Sequence, residues 1–362
     1  MAAKVVVAMS GGVDSSVAAG LLCEQGYDVV GLFMRTGVEA AAAPEDPNVR
    51  RHQGCCSAAD AADARFVAGK LGIPFYALDF AEEFDGIIDY FAAEYERGRT
   101  PNPCVVCNDK LKFGKLVDYA DAVGADFIAT GHYACLDRID REPVLRRAFD
   151  RSKDQSYVLF GIQRRLLGRM KLPIGHLNKD QVRDHARRMG LPVADKPDSV
   201  EICFVPDQDY ARLVRERRPE AFRPGKVVHT DGRVLGQHDG VGRFTIGQRR
   251  GLGIAAGHPI YVTSINARDN TVIVGERDAL LARGLVAKNC NFLVDVPIGP
   301  FEAEVKIRYL HTPAAATVEC LDQTTISVRF EHLQVAVTPG QAAVIYDGDF
   351  VVGGGWIDRA TD

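Results

Sequence analysis

Two stretches of this 362-residue chain hold residues whose types and spacing could do chemistry. In TPNPCVVCNDKLKF (100–113), Cys104 and Cys107 stand three apart in a proline-bounded turn ahead of a basic segment. That arrangement serves equally as half of a metal clip, as a redox pair, or as a nucleophile with a helper. In VVVAMSGGVDSSVA (5–18), Ser10, Gly11, Gly12, Asp14 and Ser15 lie between a β-branched apolar run and a helical pattern. Glycines let backbone approach a phosphate closely, hydroxyls donate, and the first turn of a helix offers unpaired N–H groups at the positive end of its dipole. This is anion-binding chemistry. The spacing is not GxxxxGK[ST], because no lysine follows, and it is not GxGxxG. Nine cysteines (23, 55, 56, 104, 107, 135, 203, 290 and 320) are odd in number and irregular in spacing. Thiol chemistry or metal is expected from them rather than disulfide staples.

These residues need elements to hold them. VVVA (5–8) reads as a short buried strand, and SSVAAGLLCEQG as a helix with Val17, Leu21 and Leu22 on one face and Gly26 closing it. VVGLFM (29–34) is a second strand, GVEAAAAPEDPN a loop, and DAADARFVAGKLG a helix with Ala62, Phe66, Val67 and Leu71 inward. IPFYALD and FIATGHYA read as further strands, and a helix is expected to begin near Asn108, which would aim its N-terminus at Cys107 beside Lys110 and Lys112. Alternating β and α implies a parallel sheet covered by helices. After about residue 205 the pattern changes. PIYVTSI, NTVIVG, FEAEVKIRYL, ATVECL, TISVRF, AAVIYDG and FVVGGGWID are short β-type runs, with NARDN as a hairpin turn, and they imply a small C-terminal barrel. A chain of this length exceeds one ordinary core. The expected domains are 1–205, a small central 206–280 containing FTIGQRRGLGI, and 281–362.

The net charge of −4 gives no general reason to expect nucleic acid, but residues 138–188 hold 14 Lys+Arg against 6 Asp+Glu. Charge alone fits a solvated helical face as well as a phosphate-binding patch. No uninterrupted apolar run is long enough to span a bilayer, and MAAKVVVAMSGG lacks the apolar core of a signal peptide. No membrane partner and a cytoplasmic address are expected.

SGGVDS resembles the pyrophosphate loop of the N-type, or PP-loop, ATP pyrophosphatases. TPNPCVVCNDKLKFG, ATGHYA, KDQSYVL, ICF, FTIGQRRGLGI and TPGQAAVIYDGDFVVGGG, with GLFM and CCSAADAADA, follow in one order that resembles the tRNA-specific 2-thiouridylase family over nearly the whole chain. The resemblance implies an α/β architecture: an N-terminal parallel-sheet PP-loop domain of the adenine nucleotide alpha hydrolase-like kind, a small central domain and a C-terminal all-β barrel. It implies ATP-dependent 2-thiolation of the wobble uridine in tRNAs for Glu, Gln and Lys, releasing AMP and pyrophosphate. Ala8, Met9, Ser10, Gly11, Gly12, Val13, Asp14 and Ser15 would bind ATP with Mg2+, and Met34 and Gly131 would contact the nucleotide. Asn102, Pro103, Cys104, His132, Lys153, Asp154, Gln155, Arg308, Tyr309 and Gln341 would face tRNA. Lys153 falls in the basic window, which gains phosphate contacts as its reading.

The resemblance also implies that Cys203 receives sulfane sulfur as a persulfide and passes it to the adenylated base, with Cys107 resolving the persulfide or acting as nucleophile through a Cys107–Cys203 disulfide. The sulfur donor would be a cysteine desulfurase or a sulfur-relay protein. Many family members carry Asp where this chain has Cys104. Cys104, Cys107 and Cys203 would together make a three-thiolate site for a [4Fe–4S] cluster, as in other thiolating PP-loop enzymes. A metal-free persulfide route, a zinc site and a plain Asp-to-Cys replacement stand beside that reading.

Overall fold

The computed structural model describes residues 2–38, 57–198, 202–205 and 207–362. Cys55, Cys56 and most of the Ala/Pro-rich loop expected after the second strand lie outside the described residues. The chain divides into two compact units, Met1–Ile87 with Cys104–Gln208 and Asp349–Val351, and Ile88–Pro103 with Asp209–Gly348 and Val352–Asp362. No helix among the described residues is long and apolar enough to cross a membrane.

The elements of the first half run β1 (Lys4–Ala8), α1 (Val13–Glu24), β2 (Asp28–Arg35), α2 (Ala58–Leu71), β3 (Phe75–Asp79) and α3 (Ala81–Glu96). A helix follows from α4 (Pro103–Val106) through a π-helical turn, Cys107–Lys115, into α5 (Leu116–Ala122). Next come β4 (Phe127–Ala129), the hairpin β5 (Ala134–Ile139) and β6 (Glu142–Arg147), β7 (Met170–Lys171) and α6 (Lys179–Arg188). β3, β2, β1, β4 and β7 form a parallel sheet in that order. Val5, Val6 and Val7 are fully buried on both faces of the central strand, which is why β1 reads as a continuous apolar run rather than an alternation. Strand order reverses beside β1, so the carboxyl ends of β1 and β4 open the crevice where ligands of such sheets bind.

The helix α2 corrects one sequence reading. Its buried residues are Asp60, Ala64, Val67 and Ala68, whereas Ala62 and Phe66 are exposed. The stripe 60/64/67/68 is the continuous one at helical spacing, and the bulk of Phe66 gave the wrong face its weight. The helix is fixed at its start by a capping box between Ser57 and Asp60 and at its end by Gly72 in the left-handed region. FIATGHYA also divides: β4 ends at Ala129, and Gly131 and His132 lie in the turn before β5.

The second unit holds α7 (Tyr210–Arg217), β8 (Gly225–His229), β9 (Val234–His238), β10 (Tyr261–Asn266), β11 (Thr271–Gly275), β12 (Leu281–Phe292), β13 (Phe301–Lys306), β14 (Ala314–Cys320), β15 (Thr325–Val335), β16 (Ala342–Asp347) and most of β17 (Phe350–Thr361). Two separate apolar cores account for it. Val227, Phe244, Val262, Val272 and Val274 pack under the sheet β10-β11-β8-β9, and NARDN is the turn joining β10 to β11. Leu285, Ile307, Val318, Val328, Ile345 and Ile357 fill a barrel in which β12, β15, β14, β13, β16 and β17 follow in order and β17 pairs back with β12. Closure of that ring removes the sheet edges.

Candidate active site

Ser10 to Ser15 span the β1–α1 turn and the first turn of α1. Gly12 is the N-cap of α1 and no side chain caps the helix, so its first N–H groups face the crevice as an anion seat. The loop is braced internally: Ser10 N donates to Ser15 Oγ at 3.1 Å, and Ser15 and Ser16 hydroxyls donate to the Gly12 carbonyl at 3.2 and 2.8 Å. Gly11 adopts φ +74°, and a Cβ there would stand 2.2 Å from the Asp60 carbonyl oxygen. Ala8, Met9 and Val13 are buried, so only their backbone can face a ligand. Met34 is half-buried at the end of β2.

Gly131 has a specific reason. A Cβ on it would lie 2.5 Å from Ser15 N and 2.6 Å from the Asp14 carbonyl carbon, so the chain leaving β4 passes directly against the first turn of α1. Glycine there lets the two backbones meet.

Asp14 places a negative charge at this anion seat, and the fold answers with cations from distant sequence. Lys179 Nζ lies 2.8 and 3.0 Å from the two Asp14 carboxylate oxygens and 2.6 Å from Asp198 Oδ1. Tyr133 donates its hydroxyl to Asp14 Oδ1 at 2.8 Å, and burial first, then the Asp14 charge, push its phenol pKa up. Asp198 also receives Lys153 at 2.9 Å and stands 3.7 Å from Arg183. Burial alone would raise the Asp198 pKa, but Lys153 and Lys179 outweigh it and hold the carboxyl below its ordinary value. Lys196 donates to the Gly11 carbonyl at 3.0 Å and pairs with Asp60 at 2.7 Å and Asp63 at 2.6 Å, tying the loop to α2. Sequence reasoning missed Lys179, Asp198, Tyr133 and Lys196. One signal was present: Asn178 and Gln181 form a capping box that marks Lys179 as the first residue of a helix.

KDQSYVL folds as a brace. Gln155 accepts from Tyr133 N at 2.9 Å and donates its own N–H to the Tyr133 carbonyl at 2.8 Å, while buried Asp154 accepts from Ala148 N and from the Ser156 hydroxyl, both at 2.9 Å. His132 is buried and shares a 2.8 Å hydrogen bond with Thr130 through Nδ1. Burial, and then Lys112, push its pKa well down, so it is neutral and presents little surface to any partner in this conformation.

The cysteine segment differs from the sequence reading in one respect. The helix begins at Pro103, with proline in the first helical position, and not near Asn108. Its N-terminal dipole therefore acts on the turn bearing exposed Cys104, while half-buried Cys107 opens the π-turn. Such wide turns recur at functional sites. Asn108, next in chain, is buried and donates Nδ2 to the Val158 carbonyl at 3.1 Å, fixing the turn against the KDQSYVL segment. Cys203 is half-buried in the same unit. Among the described residues no group of three His, Cys, Asp or Glu could hold a metal ion. Cys104 and Cys107 lie one turn apart at different depths, and Cys203 belongs to a separate turn.

In the second unit, Asn102 and Pro103 are buried. Gln341 donates Nε2 to the Thr100 and Pro101 carbonyls at 3.1 and 3.0 Å, so it seats the strand of chain leading to them. Arg308 and Tyr309 are exposed beyond β13, with Arg308 donating to the Val335 carbonyl at 3.0 Å.

An uncapped glycine loop at the switch point of a parallel sheet, thiols on the same unit, and a chain that continues into two β cores define an anion-binding α/β protein with appended β domains. Residues 3–207 match a family described as the tRNA methyl transferase HUP domain, 212–276 its PRC-barrel domain, and 282–357 the aminomethyltransferase beta-barrel domain. Proteins named tRNA-specific 2-thiouridylase MnmA are similar throughout. That of Symbiobacterium thermophilum is 47% identical over 99% of this chain and 93% of its own. That of Carboxydothermus hydrogenoformans is 48% identical over 98% of each, and that of Geobacter metallireducens 49% over 99% and 97%. The chain belongs to the tRNA-specific 2-thiouridylase family. The expected α/β class with a small central domain and a C-terminal barrel is borne out.

Proposed function

We propose that this protein uses ATP to replace O2 of the wobble uridine of tRNAs for Glu, Gln and Lys with sulfur. The observation that carries the reading is near-full-length kinship with 2-thiouridylases, in a chain whose glycine loop keeps an uncapped helix at the sheet's switch point. The backbone N–H groups at Gly12 to Ser15 receive the phosphates, Mg2+ arrives with the triphosphate, and Met34 and Gly131 border the nucleotide. Uridine O2 attacks the α-phosphorus and pyrophosphate leaves, which turns a poor leaving group into AMP. The terminal sulfur of a Cys203 persulfide then attacks C2 and AMP departs. The Cys107 thiolate attacks the Cys203 sulfur of the resulting C2–S–S–Cys203 link, which frees 2-thiouridine and leaves a Cys107–Cys203 disulfide. Two external thiols reduce that disulfide, becoming a disulfide themselves, and a cysteine desulfurase or relay protein reloads Cys203 with sulfane sulfur. No step here uses a [4Fe–4S] cluster. Lys153, Arg308 and Tyr309 offer surface to the tRNA; Gln155 and Asp154 hold the backbone around Tyr133 and Ala148, and Gln341 holds that of Thr100 and Pro101.

The matching family descriptions speak of methyl transfer, a reaction that would leave the glycine loop and both thiols without a role. Nucleoside analysis of tRNA after incubation with ATP, Mg2+ and a persulfide donor separates the two. The expected product is 2-thiouridine, absent with Cys107→Ser and with Cys203→Ser although both variants still bind ATP. A methylated uridine, or full thiolation by either variant, contradicts the reading.

A further inference from the structure

The glycine loop contains no lysine, yet phosphate loops usually rely on one to offset the triphosphate's charge. The structure places one there from elsewhere. Lys179 is the first residue of α6, its side chain is largely buried, and its Nζ sits between two carboxylates, Asp14 at the start of α1 and Asp198. It also lies 5.7 Å above the Tyr133 ring, whose hydroxyl is already given to Asp14. Asp198 in turn sits among three cations: Lys179 at 2.6 Å, Lys153 at 2.9 Å and Arg183 at 3.7 Å. Its Oδ1 is shielded from solvent and lies against the Lys179 ammonium. A single anion held by several cations, beside a helix terminus that no side chain caps, is the charge arrangement that suits a phosphate group.

We propose that Lys179 is the phosphate-binding lysine of this site, supplied by α6 rather than by the loop itself, and that the Asp198 carboxylate is the internal stand-in that a nucleotide's phosphate displaces from it. Asp14 stays with Lys179 and keeps its Nζ aimed at the loop. The two acids therefore have opposite effects on nucleotide affinity: Asp14 positions the lysine, whereas Asp198 competes for it. This rests on the reading of the glycine loop as an ATP site.

The test is calorimetric titration of the full-length protein with ATP, with its α,β-methylene analogue and with adenosine. Lys179→Met is expected to weaken both triphosphates by about tenfold to a hundredfold, the worth of a charge-assisted hydrogen bond, and to leave adenosine binding unchanged. Asp198→Asn, which keeps the shape and removes the charge, is expected to tighten ATP by about two- to fivefold, as loss of a partly exposed competing ion pair should. Wild-type affinity in Lys179→Met, equal loss of ATP and adenosine, or weaker ATP binding in Asp198→Asn would each overturn the proposal while leaving the ATP site standing. A wild-type protein that binds neither triphosphate would overturn the ATP site and the proposal together.

Discussion

Side chains that the fold pushes away from their usual ionisation are where single residues leave a measurable mark. His311, just past Arg308 and Tyr309, is held down to about 4 by burial first and then by the Arg308 charge, with Lys306 adding to it and a hydrogen bond to Gln334 opposing. An unfolded chain protonates this ring near pH 6.5. Between those values the unfolded state binds the proton and the folded state does not, so this histidine's contribution to stability is lost as pH falls from about 6.5 toward 4. Thermal melts at pH 7.5 and pH 5 should show a smaller drop for His311→Gln than for the wild type; an equal drop would remove His311 from the account. At this scale the sequence was informative where neighbours in chain act together, as in SGGVDS, and silent where charges meet across it. Nothing near Asp14 in the chain announces Lys179, 165 positions away, because the pairing depends on α6 packing against α1. His132 shows the reverse limit: its place after a strand suggested contact, whereas a Thr130 hydrogen bond and burial decide its state.

Elements carry their own test at Gly131. The Cβ of an alanine there would meet backbone atoms of Asp14 and Ser15, none of which can swing aside as a side chain end would. Gly131→Ala should cost about 1–3 kcal/mol of stability from overpacking and weaken ATP binding by shifting the first turn of α1. Denaturant midpoints and a nucleotide titration would measure both; a variant with unchanged values would mean that α1 and the turn after β4 do not approach as described. Strands with buried β-branched runs, such as Val5–Val7, were legible because no other element buries three successive valines so compactly. β12 escaped notice because a register shift interrupts its pairing with β15, so LARGLVAKNCNF shows no clean alternation. The cysteine helix starts earlier than its sequence suggests for a related reason: proline marks turns, yet at the first helical position its missing N–H costs nothing.

For the whole molecule, charge has to be read after folding. At least eight of the fourteen basic residues in the 138–188 window form ion pairs, among them Arg146, Arg151, Lys153, Arg169, Lys179, Arg183, Arg187 and Arg188. Most of the apparent excess therefore neutralises acids from other parts of the chain, such as Glu24 and Asp121, and the window is less of a phosphate-binding patch than its composition suggests. Exposed Arg308 on the barrel is a better candidate for tRNA phosphate. Arg308→Ala should weaken binding of all tRNA substrates alike and lower the log–log salt slope by about 1; selective loss of one tRNA would point to base recognition instead. The central claim concerns the reaction as a whole, in which nucleotide cleavage and sulfur transfer are one event. Its most direct measurement is the nucleotide product formed alongside 2-thiouridine when the protein turns over tRNA with ATP, Mg2+ and a persulfide donor. The account predicts AMP and pyrophosphate, one of each per 2-thiouridine made; ADP and phosphate, or thiolation without ATP cleavage, would contradict it.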